Sequence, residues 1–267
     1  MSQLATRDYA VRAVVRAARL LELLRASDGG APLNELAAQS GLAKASVFRM
    51  LRTLEGLGFV ERPDGADRYR LGVRCLELGQ AYLEQTDLRR EARPVLARLR
   101  DRFDETVHLA VLDDEYRVVY LEKLDSTQAV GIMMSRVGKT APSYCTGLGK
   151  ALLAARDDDP VSELEERGAL QRFTKNTIHR PAELRRELGR IGERGYALDL
   201  EEHEPGVRCV ACAIEGPRGA AIAALSIAGP AERLSEKSLR GELAAAATEA
   251  AREIGLRLGA ARRKAAE

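Results

Sequence analysis

The sequence predicts an α+β fold in two parts: a small helical N-terminal module and a larger domain built around a mainly antiparallel sheet. Three observations carry this. Apolar residues recur at helical spacing from Val11 to Leu24, and again on both sides of a break at Ser40-Gly41. Beyond Asp87, strand-like segments come in pairs with helical segments outside them, which suits an antiparallel sheet better than alternating βαβ units. The 267 residues suit one large domain or two ordinary ones.

Composition narrows the field. Hydrophobic residues at 45% and charged ones at 31% exclude a disordered, collagen-like or coiled-coil chain. Aromatics are only 4%, with no Trp, so aliphatic side chains must fill the core. Lys and Arg total 42 against 40 Asp and Glu, which excludes a histone-like basic tail but leaves room for a small basic face. Residues 1–80 carry 12 Lys and Arg against 9 Asp and Glu, a sign that suits a nucleic-acid module on a near-neutral body. Cys75, Cys145, Cys209 and Cys212 are too sparse for a secreted disulfide framework, and Met1 to Val15 lacks the apolar core of a signal peptide. No apolar run approaches the ~18 residues that span a bilayer. A soluble, cytoplasmic chain without membrane contact is expected.

The elements follow in order. Val11 to Leu24 predicts an amphipathic helix ended by Asp28-Gly29-Gly30. Asn34 is the expected N-cap of a short helix to Gln39, and a second helix runs from Ala43 to Leu57. Phe59-Val60-Glu61 and Arg68 to Leu71 predict two short strands around a Pro63-Asp64-Gly65 turn, followed by a linker helix from Gly72 to Tyr82. Leu88 to Phe103 is helical. Val107 to Leu112, Val118 to Lys123 and Ala129 to Met134 are strand-like. Helices are expected at Gly149 to Ala155, Pro160 to Arg167 and Pro181 to Arg194. Val207 to Ile214 and Ala220 to Ile227 predict a strand pair across Gly216-Pro217-Arg218-Gly219, and one long helix, Ser235 to Gly259, closes the chain.

The run Leu33 to Leu51 has the requirements of a helix-turn-helix. Ala37 supplies the small residue where the helices cross, and Gly41 supplies a turn position tolerant of positive φ. Leu36, Leu42, Val47 and Leu51 would pack the pair. Lys44, Ala45, Ser46, Phe48, Arg49 and Arg52 would then face outward, a short polar and basic surface suited to a major groove. The Arg62 to Arg70 hairpin follows where a wing would lie, with Arg68 and Arg70 able to reach phosphates. A solvated helical hairpin in a bundle would explain the glycine break alone, but not the hairpin, the preceding helix and the charge sign together.

Leu33 to Phe59, with Tyr69-Arg70-Leu71-Gly72 and Leu76-Glu77-Leu78-Gly79, resembles the IclR family of bacterial transcriptional regulators. So do Gly138 to Pro142, Cys145-Thr146-Gly147-Leu148-Gly149-Lys150-Ala151, Gly195 to Asp199, Glu204 to Ala211 and Ala224 to Ile227. The resemblance runs from about residue 10 to residue 259. It implies a winged helix-turn-helix over residues 10–74, then a linker helix and a GAF-like effector-binding domain over 75–267. It also implies a homodimer or homotetramer on a pseudo-palindromic double-stranded DNA operator. Ala43, Ala45 and Met50 depart from the residues usual in relatives, and Ala45 removes one possible hydroxyl contact to DNA.

Thr146 to Lys150 opens a helix after a loop, and exposed N–H groups at such a start favour an anion such as a small carboxylate. Two glycines serving only a tight turn are the plainer alternative. The resemblance implies that Gly147 and Leu148 touch an effector. It also implies that Asp199, Cys209 and Ser226 face the pocket, with Val130, Met133, Ala141 and Val207 as apolar walls. Ala228 stands where some relatives have Ser. Ser135 to Gly138, Tyr144 to Thr146 and Glu202 to Glu204 look closest to the sugar-acid and glycerol branch of the family.

Cys145, His203, Cys209 and Cys212 could supply soft metal ligands, but Cys209 and Cys212 on one strand would point to opposite faces. A Cys-His nucleophile pair lacks any supporting signature. The expected function is therefore a non-enzymatic, ligand-responsive DNA-binding regulator, a repressor of catabolic genes that answers to a small organic acid or sugar-derived metabolite and needs no cofactor. A metabolite-converting enzyme with an appended DNA-binding domain is the alternative. A pure interaction protein, without a pocket, is a third.

Overall fold

The structure, a computed structural model, describes residues 10–63, 67–128 and 133–260. It divides into two compact units, one ending at Leu83 and the other beginning at Glu84.

The first unit holds helices α1 (Arg12–Ala26), α2 (Leu33–Ser40) and α3 (Lys44–Gly56), and a two-stranded ribbon of β1 (Val60–Glu61) and β2 (Arg70–Leu71). Most of α4 (Val73–Gln85) follows. The apolar stripes predicted from sequence meet in one core: Leu20 and Leu24 from α1, Leu36 from α2, Val47, Leu51 and Leu54 from α3, and Val60 and Tyr69 from the ribbon. Gly41 ends α2 at φ 69°, a left-handed conformation open to glycine at little cost, and its N–H donates to the Ala37 carbonyl at 3.1 Å. The expected Asn34 cap is incorrect. Pro32 occupies that position, because its extended backbone precedes the first turn and its carbonyl accepts from Leu36 N–H. The tip of the expected hairpin turn, 64–66, lies outside the described residues.

The second unit is a six-stranded, wholly antiparallel sheet. Its strands are β3 (Thr106–Leu112), β4 (Arg117–Leu124), β5 (Thr140–Pro142), β6 (Ala197–Leu200), β7 (Val207–Glu215) and β8 (Ala221–Pro230), in the order β5-β4-β3-β8-β7-β6. Helices α6 (Gly147–Ala154), α7 (Pro160–Glu166) and α8 (Pro181–Arg194) build one side, while α5 (Asp87–Phe103) packs with α10 (Ala244–Arg257). Strand alternation fixes the two faces. Cys209 and Ala211 of β7 lie against Gly147 of α6, whereas Cys212 hydrogen-bonds Thr248 of α10 at 3.4 Å. The layer between sheet and α6 to α8 is filled by Leu148, Leu152, Leu184, Leu188 and Ile191 against Val118, Ala211 and Ala224.

One further expectation lies mostly outside the described residues, and another is revised. The strand at Ala129 to Met134 falls on residues 129–132, outside the described ones, while Met133 and Met134 belong to no strand; β5 pairs with β4 at Val118↔Ala141. The closing helix is broken. A short α9 (Glu236–Ser238), capped by Ser235, runs into a kink within Leu239–Leu243, where Gly241 has the non-helical φ −102° and ψ −107°. Lacking Cβ, Gly241 can leave helical geometry and keep Leu239 and Leu243 both buried.

Candidate functional site

Helix α3 divides cleanly. Val47, Leu51 and Leu54 are buried, while Lys44, Ala45, Phe48, Arg49 and Arg52 are exposed and Ser46 is half-buried. The outward cations differ in what they already hold. Arg52 pairs with Glu55 at 2.7 Å, and Arg70 pairs across the ribbon with Glu61 at 2.5 Å. Arg68 donates from Nε to the Gly30 carbonyl at 3.1 Å. Lys44 and Arg49 form no ion pair among the described residues.

In the second unit, Met133, Gly147, Leu148, Asp199, Val207, Cys209 and Ser226 line a single cavity. Its volume is about 40 Å³, room for roughly three waters. Of the expected walls, Val130 lies outside the described residues, and Ala141 is buried on β5 away from the cavity. Pairing explains the convergence: Asp199 on β6 stands opposite Cys209 on β7, which stands opposite Ala228 on β8. The next row of the same face brings Ser226 opposite His108 on β3.

The start of α6 roofs this floor. Thr146 caps the helix, its Oγ1 accepting from Gly149 N–H at 3.3 Å and donating to the Pro142 carbonyl at 2.8 Å. Neither Gly147 nor Gly149 has a positive φ, so a tight turn is not their reason. A Cβ on Gly147 would lie 2.5 Å from Cys209 Sγ, and one on Gly149 would fall on the backbone of Ser143. Both are glycines because other atoms occupy the space a side chain needs.

Charge around the cavity is dominated by acids. Burial, reinforced by the nearby Glu202 carboxylate, pushes the Asp199 carboxyl up to about 7; Lys150 works in the other direction. Asp199 Oδ1 accepts from Glu202 N–H at 2.8 Å. Burial drives the pKa of His108 down to about 3, with Lys123 adding to the effect, so the ring is neutral at physiological pH. Burial likewise pushes the Cys145 and Cys209 thiols up, so neither is the thiolate that a nucleophile requires. No group of three or more His, Cys, Asp or Glu among the described residues could hold a metal, and Cys209 and Cys212 sit on opposite faces.

Six lining residues, His108, Tyr120, Ser135, Thr146, His203 and Glu204, were not singled out from sequence as pocket residues. Thr146, Ser135, His203 and Glu204 lie within or beside the family-like motifs. His108 and Tyr120 are single residues on alternating strands, and only strand register reveals that they face the cavity.

Comparison with known proteins agrees with this geometry. Residues 13–64 match the model of the IclR helix-turn-helix domain, and residues 80–256 that of the bacterial transcriptional regulator IclR C-terminal domain. The acetate operon repressor of Salmonella typhimurium is 33% identical over 253 residues, covering 94% of this chain and 92% of the relative. The HTH-type transcriptional regulator KdgR of Escherichia coli is 37% identical over 227 residues, 85% of each chain. Among solved structures, an IclR homologue of Microbacterium hydrocarbonoxydans complexed with 4-hydroxybenzoate superposes with a TM-score of 0.75 at 27% identity. That match covers 92% of this chain and 98% of the other.

Proposed function

The chain belongs to the IclR family of bacterial transcriptional regulators and is a ligand-responsive DNA-binding regulator, not an enzyme; from that premise we propose how its residues divide the work. Residues 10–74 are the DNA-binding module, and residues 75–267 are the linker helix and effector domain. Lys44, Ser46, Arg49 and Arg52 meet base edges and nearby phosphates from α3, and Arg68 and Arg70 steady the wing. The effector is a small organic acid or sugar-derived metabolite held in the cavity by Gly147, Leu148, Asp199, Cys209 and Ser226, with Met133 and Val207 as walls. The chain represses catabolic genes in the cytoplasm, where the bacterial chromosome lies.

One observation carries the effector reading. Residues spread from 108 to 228 along the chain converge on one cavity at a capped helix start. Helix-start N–H groups favour an anion, and the relative crystallised with 4-hydroxybenzoate holds a carboxylate. The cavity is small and partly open, and in this reading an effector of several heavy atoms displaces Met133 or Leu148. That displacement is the differential contact through which a ligand can bias two states.

Assembly as a homodimer or tetramer is supported by apolar residues left on the first unit's surface. Val14 is 64% exposed, Val73 64% and Leu76 72%. A dimer would place two α3 helices on half-sites separated by about one helical turn or a multiple of it.

The test measures operator affinity with and without carboxylates that raise the melting temperature. A ligand at 100 times its Kd should stabilise by about 2.7 kcal/mol. Leu148→Trp, which fills the cavity, should abolish both the thermal shift and the operator response while apo DNA binding persists. A full wild-type response in this variant moves the effector site elsewhere.

A further inference from the structure

His108 is 3% exposed, and both ring nitrogens are engaged by hydroxyls: Nδ1 lies 3.2 Å from Ser226 Oγ, and Nε2 lies 2.8 Å from Ser135 Oγ. All three residues line the cavity. Building on the effector reading of that cavity, we infer that His108 is a specificity-determining residue that turns Ser135 and Ser226 into a reversible donor–acceptor pair. The pair selects carboxylates that carry a hydroxyl or oxo oxygen over plain ones.

The chemistry follows from the neutral ring, which has one N–H and one bare nitrogen. One serine must accept from the N–H, which leaves its own proton to donate. The other must donate to the bare nitrogen, which leaves its lone pairs to accept. The two hydroxyls are therefore never equivalent at one moment, and moving the ring proton from one nitrogen to the other exchanges their roles. Such a relay can donate to a ligand carbonyl or accept from a ligand hydroxyl without changing shape.

Its position gives the relay something to read. The α6 start lies over β7, and β3 is two strands away across β8, about 10 Å between backbones. A small acid whose carboxylate sits at the helix start directs its remaining carbons across Ser226 toward His108. The other walls on that path, Met133, Leu148 and Ala228, are apolar. An unsubstituted tail would strip water from the relay and return no hydrogen bond, and a site built to bond an oxygen rejects the analogue that lacks it. Tyr120 packs on the imidazole at 5.3 Å between ring centroids, which limits the ring's freedom to turn away.

The test uses matched carboxylates on the full chain: propionate against lactate and pyruvate, butyrate against 2-hydroxybutyrate, benzoate against 4-hydroxybenzoate, with dissociation constants from calorimetry. In the wild type, the oxygen-bearing member of at least one pair should bind ten-fold or more tightly. His108→Phe should bring that ratio to within about three-fold, and His108→Gln, which keeps one donor and one acceptor, should restore part of it. Ser135→Ala and Ser226→Ala should each lower the ratio, which keeps the test open if His108→Phe does not fold. A wild-type protein that binds plain and oxygenated acids alike, or variants that retain the wild-type ratio, would overturn the role of His108 alone. If the wild type binds no carboxylate, the carboxylate reading of the cavity fails first and this inference with it.

Discussion

Lys150 of α6 and Glu202 of the β6–β7 turn form an ion pair almost wholly removed from water, with side-chain exposures of 1% and 7%. The pair adjoins the cavity, because Glu202 donates its backbone N–H to the carboxylate of Asp199. Lys150 therefore has two acids near it and is hydrogen-bonded to one. Glu202 Oε2 is buried without a hydrogen-bond partner in the structure. Burial first, and the Glu202 charge second, make Asp199 a carboxyl that holds its proton up to about pH 7. The cavity thus borders a buried electrostatic triad of Asp199, Glu202 and a single lysine, Lys150.

Removing either member of the ion pair should be costly. Lys150→Met leaves two buried acids without a cation, and breaking such a pair typically costs about 3–5 kcal/mol. Lys150→Met combined with Glu202→Leu removes both charges and should recover much of the loss. Urea unfolding of the two variants checks this. A double variant no more stable than the single one would show that the pair contributes through packing rather than charge.

Asp199 makes stability depend on pH in a definite direction. Its folded pKa, pushed up to about 7 from 3.8, means that the folded chain keeps a proton the unfolded chain has released across that interval. The site's stabilising contribution is complete below about pH 4 and is lost as the pH rises through about 7. Asp199→Asn can still accept from Glu202 N–H and never ionises. The variant should therefore gain on the wild type by a few kcal/mol between pH 5 and pH 8. Melts at four pH values measure the difference, and a constant offset would rule out Asp199 as the titrating group.

Much of the first unit was legible because its constraints are local. Gly41, Ala37 and the spacing of Leu36, Val47 and Leu51 lie within nineteen consecutive residues, and each needs only its neighbours to be interpreted. The pocket was legible through family motifs at Thr146 to Lys150, Gly195 to Asp199, Glu204 to Ala211 and Ala224 to Ile227. His108 was not, because its place in the cavity comes from the pairing His108↔Ser226, 118 residues apart, and from the contact of its other ring nitrogen with Ser135. β5 and β6, three and four residues long, are too short to show a period of two. The break at Gly241 hid in an alanine-rich stretch whose pattern stays helical on both sides.

The two glycines of α6 should respond differently to substitution. Gly149→Ala collides with the Ser143 backbone, which cannot step aside, so a large loss of stability is expected. Gly147→Ala meets the Cys209 sulfur at 2.5 Å and Ala211 Cβ at 3.3 Å, a clash with removable atoms. Adding Cys209→Gly to Gly147→Ala should recover stability, a positive coupling of roughly 0.5–3 kcal/mol in a double-mutant cycle. Strict additivity would mean that the helix start moves to accommodate the methyl group.

DNA affinity should follow which cations are already occupied. Arg49 is exposed on α3 and unpaired among the described residues, so Arg49→Ala should cost roughly 1–3 kcal/mol and relax discrimination at one base pair. Arg70 shares its charge with Glu61, and contact with a phosphate must compete with that partner. Arg70→Ala should therefore weaken binding less, alike for all sequences, and reduce the salt dependence by at most about one phosphate contact. Glu61→Gln makes the opposite change: it frees Arg70 and removes a negative charge facing the backbone, so affinity should rise and the salt slope should steepen. Operator titrations at several salt concentrations separate these cases. Equal losses for Arg49→Ala and Arg70→Ala, both independent of sequence, would assign α3 to the phosphate backbone and leave base readout to another element.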